Sequence, residues 1–161
     1  MTNTTAAARN SIDGEAAIAR LLRFLAVSGV TGREARIAGE LVTALRQAGV
    51  PARAIRRDDV HRRIPLPTET GNVIVDLPGR GTLKGGDRLL FMTHMDTVPL
   101  CAGAVPKRQG AKIVNAAKTA LGGDNRTGCA VLVTLVETLL KHKLPHPPLS
   151  LLFAVRVSRQ R

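Results

Sequence analysis

Two apolar runs constrain this chain more than anything else in it: RLLFMT at residues 88–93 and LSLLFAV at 149–155. Each is shorter than an ordinary helix, mostly apolar and preceded by turn-forming residues, a glycine-rich stretch over 79–87 and the prolines Pro145, Pro147 and Pro148. Runs of that kind read as buried strands. Around them the periodicity is helical. Residues 13–27 carry Ile18, Leu21, Leu22 and Leu25 on one face. After a turn at Ser28-Gly29, the sequence Thr31-Gly32-Arg33-Glu34 reads as a capping box, in which the hydroxyl and the carboxylate satisfy each other's free N–H groups. The helix behind it carries Ile37, Leu41 and Leu45 on one stripe and stops at Gly49, with Pro51 beyond. Residues 52–57 alternate loosely, 72–77 (NVIVDL) form a β-branched strand closed by Pro78-Gly79, and 112–114 are a candidate short strand. Residues 127–140 are apolar nearly all round, so the helix they form is expected to be buried on most sides. The expected fold class is α/β, an α/β/α sandwich with a mixed central sheet.

Composition narrows the function classes. The 161 residues suffice for one domain that buries about two-thirds of its unfolded surface. Lys and Arg number 24 against 12 Asp and Glu, a net charge of +12. The basic residues are scattered, and with no Trp, no Tyr and three Phe there is little aromatic surface for stacking bases, so nucleic acid is not the expected partner. No apolar run approaches the roughly 18 residues of a membrane span, and no signal-peptide h-region opens the chain. Cys101 and Cys129 make no disulfide framework. The expected location is cytoplasmic. From residue 97 to the end, ten basic residues accompany only two acids, Asp124 and Glu137.

In α/β sheets, ligands gather outside the carboxyl ends of the strands, and two polar clusters lie there. Thr93-His94-Met95-Asp96-Thr97 follows the first apolar run, and Gly122-Gly123-Asp124-Asn125-Arg126-Thr127-Gly128 precedes the apolar helix. A His two residues from an Asp can place one ring nitrogen on a metal and give the other N–H to the carboxylate, which fixes the tautomer. An Asp in a glycine-rich turn at a helix start can bridge two cations with its two oxygens. Taken singly, H-x-D is a common triplet, and Asp124 serves equally as the N-cap of the helix starting near Thr127. His61 is expected at the surface, His142 and His146 share no helical face across Pro145, and Glu137 is expected on the wet edge of its helix.

Together and in this order, LLFMTHMDTVP and ALGGDNRTGCAVLVTLVETL closely resemble the di-zinc exopeptidases, a superfamily that includes peptidase T-like tripeptide aminopeptidases, carboxypeptidase G and acetylornithine deacetylase. GNVIVDLPG upstream resembles the strand and turn before their first ligand, and the two opening helices match as well. The resemblance implies that His94 is a zinc ligand, that Asp96 is the catalytic-site carboxylate orienting its imidazole, and that Asp124 bridges two zinc ions. It implies hydrolysis of short peptides by metal-activated water, with a Glu as the base. The GGDN form leans toward the tripeptide aminopeptidase branch. An amidohydrolase of N-acyl amino acids is the alternative within the superfamily, and a non-catalytic basic binding module the alternative outside it.

The superfamily places two adjacent Glu residues, base and ligand, just after the strand that matches LSLLFAV. Here Val157 or Ser158 stands at that position, and no Glu follows Glu137. The expectation is therefore an N-terminal part of a catalytic domain over 1–156 with a short divergent basic tail over 157–161. By that account the chain is truncated, inactive alone, and left with an exposed apolar sheet edge.

Overall fold

The computed structural model describes residues 12–156, so the basic tail, with Val157 and Ser158, lies outside the described residues. Helix α1 spans Gly14–Ala26. Asp13 starts it by accepting from the Ala16 N–H at 3.0 Å, with Glu15 in the first turn and Arg23 in the last, the arrangement the helix dipole favours. Helix α2 spans Ala35–Gln47, buries Ile37, Leu41 and Leu45, and ends as Gly49 turns the chain at φ +91°.

The capping box is not formed. Glu34 is the N-cap residue of α2 but makes no side-chain cap; its Oε1 accepts from the Gly32 N–H at 2.9 Å. The free N–H of Ala35 reaches Glu69 at 3.3 Å instead. The Thr31 hydroxyl points away from the helix to the carboxylate of Asp96. The hydroxyl that a local motif would have used has gone to a long-range partner, and the carboxylate serves the turn before the helix instead of its cap.

A four-stranded sheet carries the domain, in the order β1 (Ile55–Arg57), β2 (Val73–Leu77), β6 (Leu149–Ala154), β3 (Leu89–His94). It is mixed: β2 is antiparallel to both its neighbours, and β3 runs parallel to β6. A separate hairpin joins β4 (Pro106–Gln109) to β5 (Lys112–Asn115). Helix α3 spans Gly123–Lys141. Register sets the core face. Val73 faces Phe153, Val75 faces Leu151 and Leu77 faces Leu149. These six pack with Phe24, Ile37, Leu41, Leu45, Cys129, Val133 and Val136 from all three helices. Glu137 is half-buried rather than on a wet edge, paired at 2.5 Å with Arg20 of α1. None of the described helices is long and apolar enough to cross a membrane.

The mixed sheet and the α/β class are those expected, and the described residues supply one helical layer of the sandwich. The strand read as buried is the exception. Only Thr93 of β3 is buried, while Leu90 and Met92 are 61% and 63% exposed. Both lie on the face away from the helices, opposite Ser150 and Leu152, at the outer edge of the sheet. An apolar strand edge of this kind templates association. The variant Leu90→Thr/Met92→Thr should remain monomeric at higher concentration than the parent chain, with stability altered by no more than roughly 0.5–1 kcal/mol. Sedimentation velocity over a concentration series reads this; identical association of parent and variant would exclude these side chains as the contact.

Candidate metal centre

Strand β3 delivers His94 at its carboxyl end, and the next residues are clamped from two sides. The Met95 N–H donates to Ala154 O at 2.9 Å, extending the ladder with β6. On the other side Thr97 N–H donates to Gly29 O at 3.1 Å and Thr31 N–H to Thr97 O at 2.9 Å, a parallel bridge to the loop between α1 and α2. Asp96 lies between these clamps with 0% exposure. Its Oδ1 is 3.0 Å from Nδ1 of His94, and its Oδ2 accepts from the Thr31 hydroxyl at 2.7 Å. Across the ring, Nε2 of His94 lies 3.0 Å from Oδ1 of Asp124, whose side chain is 93% exposed.

The start of α3 explains why Asp124 is free to face His94. Gly122 caps the helix at φ +80°, and Asp124 and Asn125 depart from helical φ and ψ. Asn125, not Asp124, closes the turn, accepting from the Gly128 N–H at 2.9 Å. The reading of Asp124 as N-cap therefore does not hold. Gly128 also sets how closely α3 meets β3: a Cβ there would lie 2.4 Å from Thr93 Oγ1 and 2.5 Å from Asn125 Oδ1. Glycine is required for that approach.

Beneath the site lies Arg126, 2% exposed. Its Nη2 donates to Gly29 O at 3.2 Å and Val27 O at 3.4 Å, while Nη1 makes no hydrogen bond among the described residues. Burial pulls its pKa down to about 10, opposed by neighbours that include the carboxylates of Asp96 and Glu34. The Cys129 thiol, pushed up to about 12 by burial, donates to His94 O at 3.4 Å and is a packing group rather than a nucleophile. Thr31, Glu34 and Arg126 surround Asp96 without a sequence signal for that placement: the first two carry a helix-cap pattern, and Arg126 is one residue of the G-G-D-N-R-T-G cluster.

The remaining histidines stand apart from this site. His146 is buried and bonds Pro147 O at 2.8 Å, His142 is exposed, and His61 is half-buried in a short turn rather than at the surface.

The donor set fits a zinc ion in part. An imidazole nitrogen and a carboxylate oxygen are ordinary zinc ligands, and the carboxylate behind Nδ1 leaves Nε2 as the nitrogen to be given to a metal. In the geometry seen, Nε2 of His94 and Oδ1 of Asp124 face each other at 3.0 Å, and these are the two donors that would be offered to a cation. Among the described residues no group of three or more His, Cys, Asp or Glu is arranged to hold a metal.

Solved structures share this fold. Aminopeptidase PepT of Bacillus cereus is 28% identical, with a TM-score of 0.79 over 90% of this chain and 37% of its own. A Staphylococcus aureus tripeptidase is 20% identical, with a TM-score of 0.76 over 90% of this chain and 37% of its own. Aminoacylhistidine dipeptidase of Vibrio alginolyticus is 18% identical, at 0.69, over 91% and 29%. This chain thus spans little more than a third of the length of the first two. No family model and no curated protein sequence matches it. The resemblance to the di-zinc exopeptidases holds in the fold as well as in the motifs.

Two consequences of the buried underpinning are measurable. Burial raises the Glu34 carboxyl above its ordinary range, with the Gly32 N–H opposing. The folded state then holds this proton more tightly than the unfolded chain, so Glu34 favours folding most at low pH. That contribution is lost as pH rises from the ordinary carboxyl range through the raised value. In urea titrations at several pH values, Glu34→Gln should gain on the parent chain as pH rises through this window. A constant difference would show that Glu34 does not titrate there. At Gly29, an added Cβ would lie 2.6 Å from both Arg126 Nη2 and Ile37 Cγ2, so Gly29→Ala should destabilise the fold by about 1–3 kcal/mol in the same titrations.

Proposed function

We propose that these residues form one half of the metal site of a zinc-dependent exopeptidase that removes residues from short peptides. The single observation that carries this is the sandwiched imidazole of His94, with a buried carboxylate at 3.0 Å on Nδ1 and an exposed one at 3.0 Å on Nε2. A purely structural histidine needs no solvent-facing carboxylate aimed at its second nitrogen. The aminopeptidase at 28% identity and the tripeptidase of the same fold support a short-peptide substrate.

In this reading His94 Nε2 and Asp124 are the ligands. Bound there, zinc would polarise the scissile carbonyl and lower the pKa of a water. Asp96 retains the Nδ1 proton and so keeps Nε2 basic toward the metal. The exposed carboxylate of Asp124 has a second oxygen available for a second cation. What the described residues do not offer is the proton acceptor. A general base must lie within about 2.6–3.2 Å of the attacking water's proton. Asp96 is committed to His94 and Thr31, and Glu34 is buried behind it. Two protein donors also fall short of the three that a catalytic zinc takes. Hydrolysis therefore belongs to the combination of these residues with a base and further ligands that they do not supply.

The 161-residue chain given zinc and a tripeptide panel should show no turnover above blank, yet should bind zinc weakly, with binding lost in His94→Ala and reduced in Asp124→Asn. Equal zinc binding by parent chain and His94→Ala would refute the ligand assignment. Zinc-dependent release of an N-terminal residue, abolished by His94→Ala, would refute the assignment of inactivity.

A further inference from the structure

We propose that Thr31 is a positioning residue of the metal site, and that the loop over 28–34 belongs to that site although it lies sixty or more residues before His94 in sequence. The inference rests on the reading of His94 and Asp124 as ligands. A carboxylate can orient an imidazole only if it is itself prevented from rotating. Asp96 sits with Oδ1 toward His94, and the hydroxyl of Thr31 grips the other oxygen at 2.7 Å. That bond runs between two side chains with little or no solvent access, where a hydrogen bond to a charged acceptor is strong and loses nothing to competing water.

The loop is held independently of this hydroxyl. Thr31 N–H donates to Thr97 O, Arg33 N–H to Val30 O at 2.8 Å, and Gly29 O accepts from both Thr97 and Arg126. Thr31 thus stands on a backbone fixed by main-chain bonds, with its hydroxyl closer to Asp96 Oδ2, at 2.7 Å, than to its second acceptor, Thr97 O, at 3.2 Å. Replacing it with the isosteric valine removes the hydroxyl and keeps the rest. The chain Thr31 Oγ1–Asp96–His94–Asp124 then joins the α1–α2 loop, the end of β3 and the start of α3 through side chains alone.

The test compares parent chain, Thr31→Val, Thr31→Ser and His94→Ala. Zinc affinity is read by competition with a chromophoric chelator, and the His94 ring by proton–nitrogen NMR without metal. In the parent chain the Nδ1 proton should be protected from exchange. In Thr31→Val it should be lost to exchange and zinc affinity should fall roughly tenfold; Thr31→Ser should restore both. Parent-like behaviour of Thr31→Val, or a serine variant as impaired as the valine one, overturns the inference. Zinc binding that survives in His94→Ala overturns the ligand reading beneath it, which a failure confined to Thr31 does not. The metal-free NMR signal decides the role of the hydroxyl even where zinc binding is too weak to measure.

Discussion

A carboxylate with no solvent exposure must be held by donors, and the burial of Asp96 organises this molecule. Leaving such a charge unpaired in the interior would cost several kcal/mol. The fold supplies the Thr31 hydroxyl on one oxygen and the His94 ring on the other, with the Arg126 guanidinium in the same buried neighbourhood. Each comes from a different element: the loop after α1, the end of β3 and the first turn of α3. Satisfying one buried charge therefore fixes the relative position of three parts of the chain.

The same constraint explains the glycines. Gly29 brings its carbonyl against Arg126 with no room for a side chain, and Gly128 lets α3 settle against Thr93. Neither is there for turn geometry. They allow backbone to come within reach of the buried charges, and the consequence is that Asp124 projects into solvent opposite His94. Among the described residues, the helices meanwhile cover one face of the sheet. Helices cover the side of Val73, Val75, Leu151 and Phe153, while Leu90 and Met92 point from the other side of an edge strand. His94 lies at the carboxyl end of that same strand, facing Asp124 from the start of α3.

Much of the fold was legible because it follows from local pattern. The stripe of Ile37, Leu41 and Leu45, the stop at Gly49 and the β-branched run ending at Leu77 stand where periodicity put them. The errors share one cause. Thr31 and Glu34 matched a capping box because sequence shows only neighbours three residues apart, while the acceptor that took the hydroxyl lies at position 96. The run at 88–93 read as buried because its composition is apolar, but burial also depends on what stands on either side, and β3 ended at the edge of the sheet.

The sequence by itself determined that this is a helix-and-strand chain with two polar clusters at strand and helix ends, and its motifs pointed to His94, Asp96 and Asp124. Those features are short-range: spacing along a helix, alternation along a strand, a glycine beside an acid. Only the tertiary structure decided that Asn125 rather than Asp124 closes the first turn of α3, that Thr31 serves Asp96 rather than its own helix, and that Arg126 is buried beneath the site. Each of those outcomes depends on which donor lies within about 3 Å of which acceptor, and that is settled when distant segments pack, because a buried polar group takes the partner that packing brings to it.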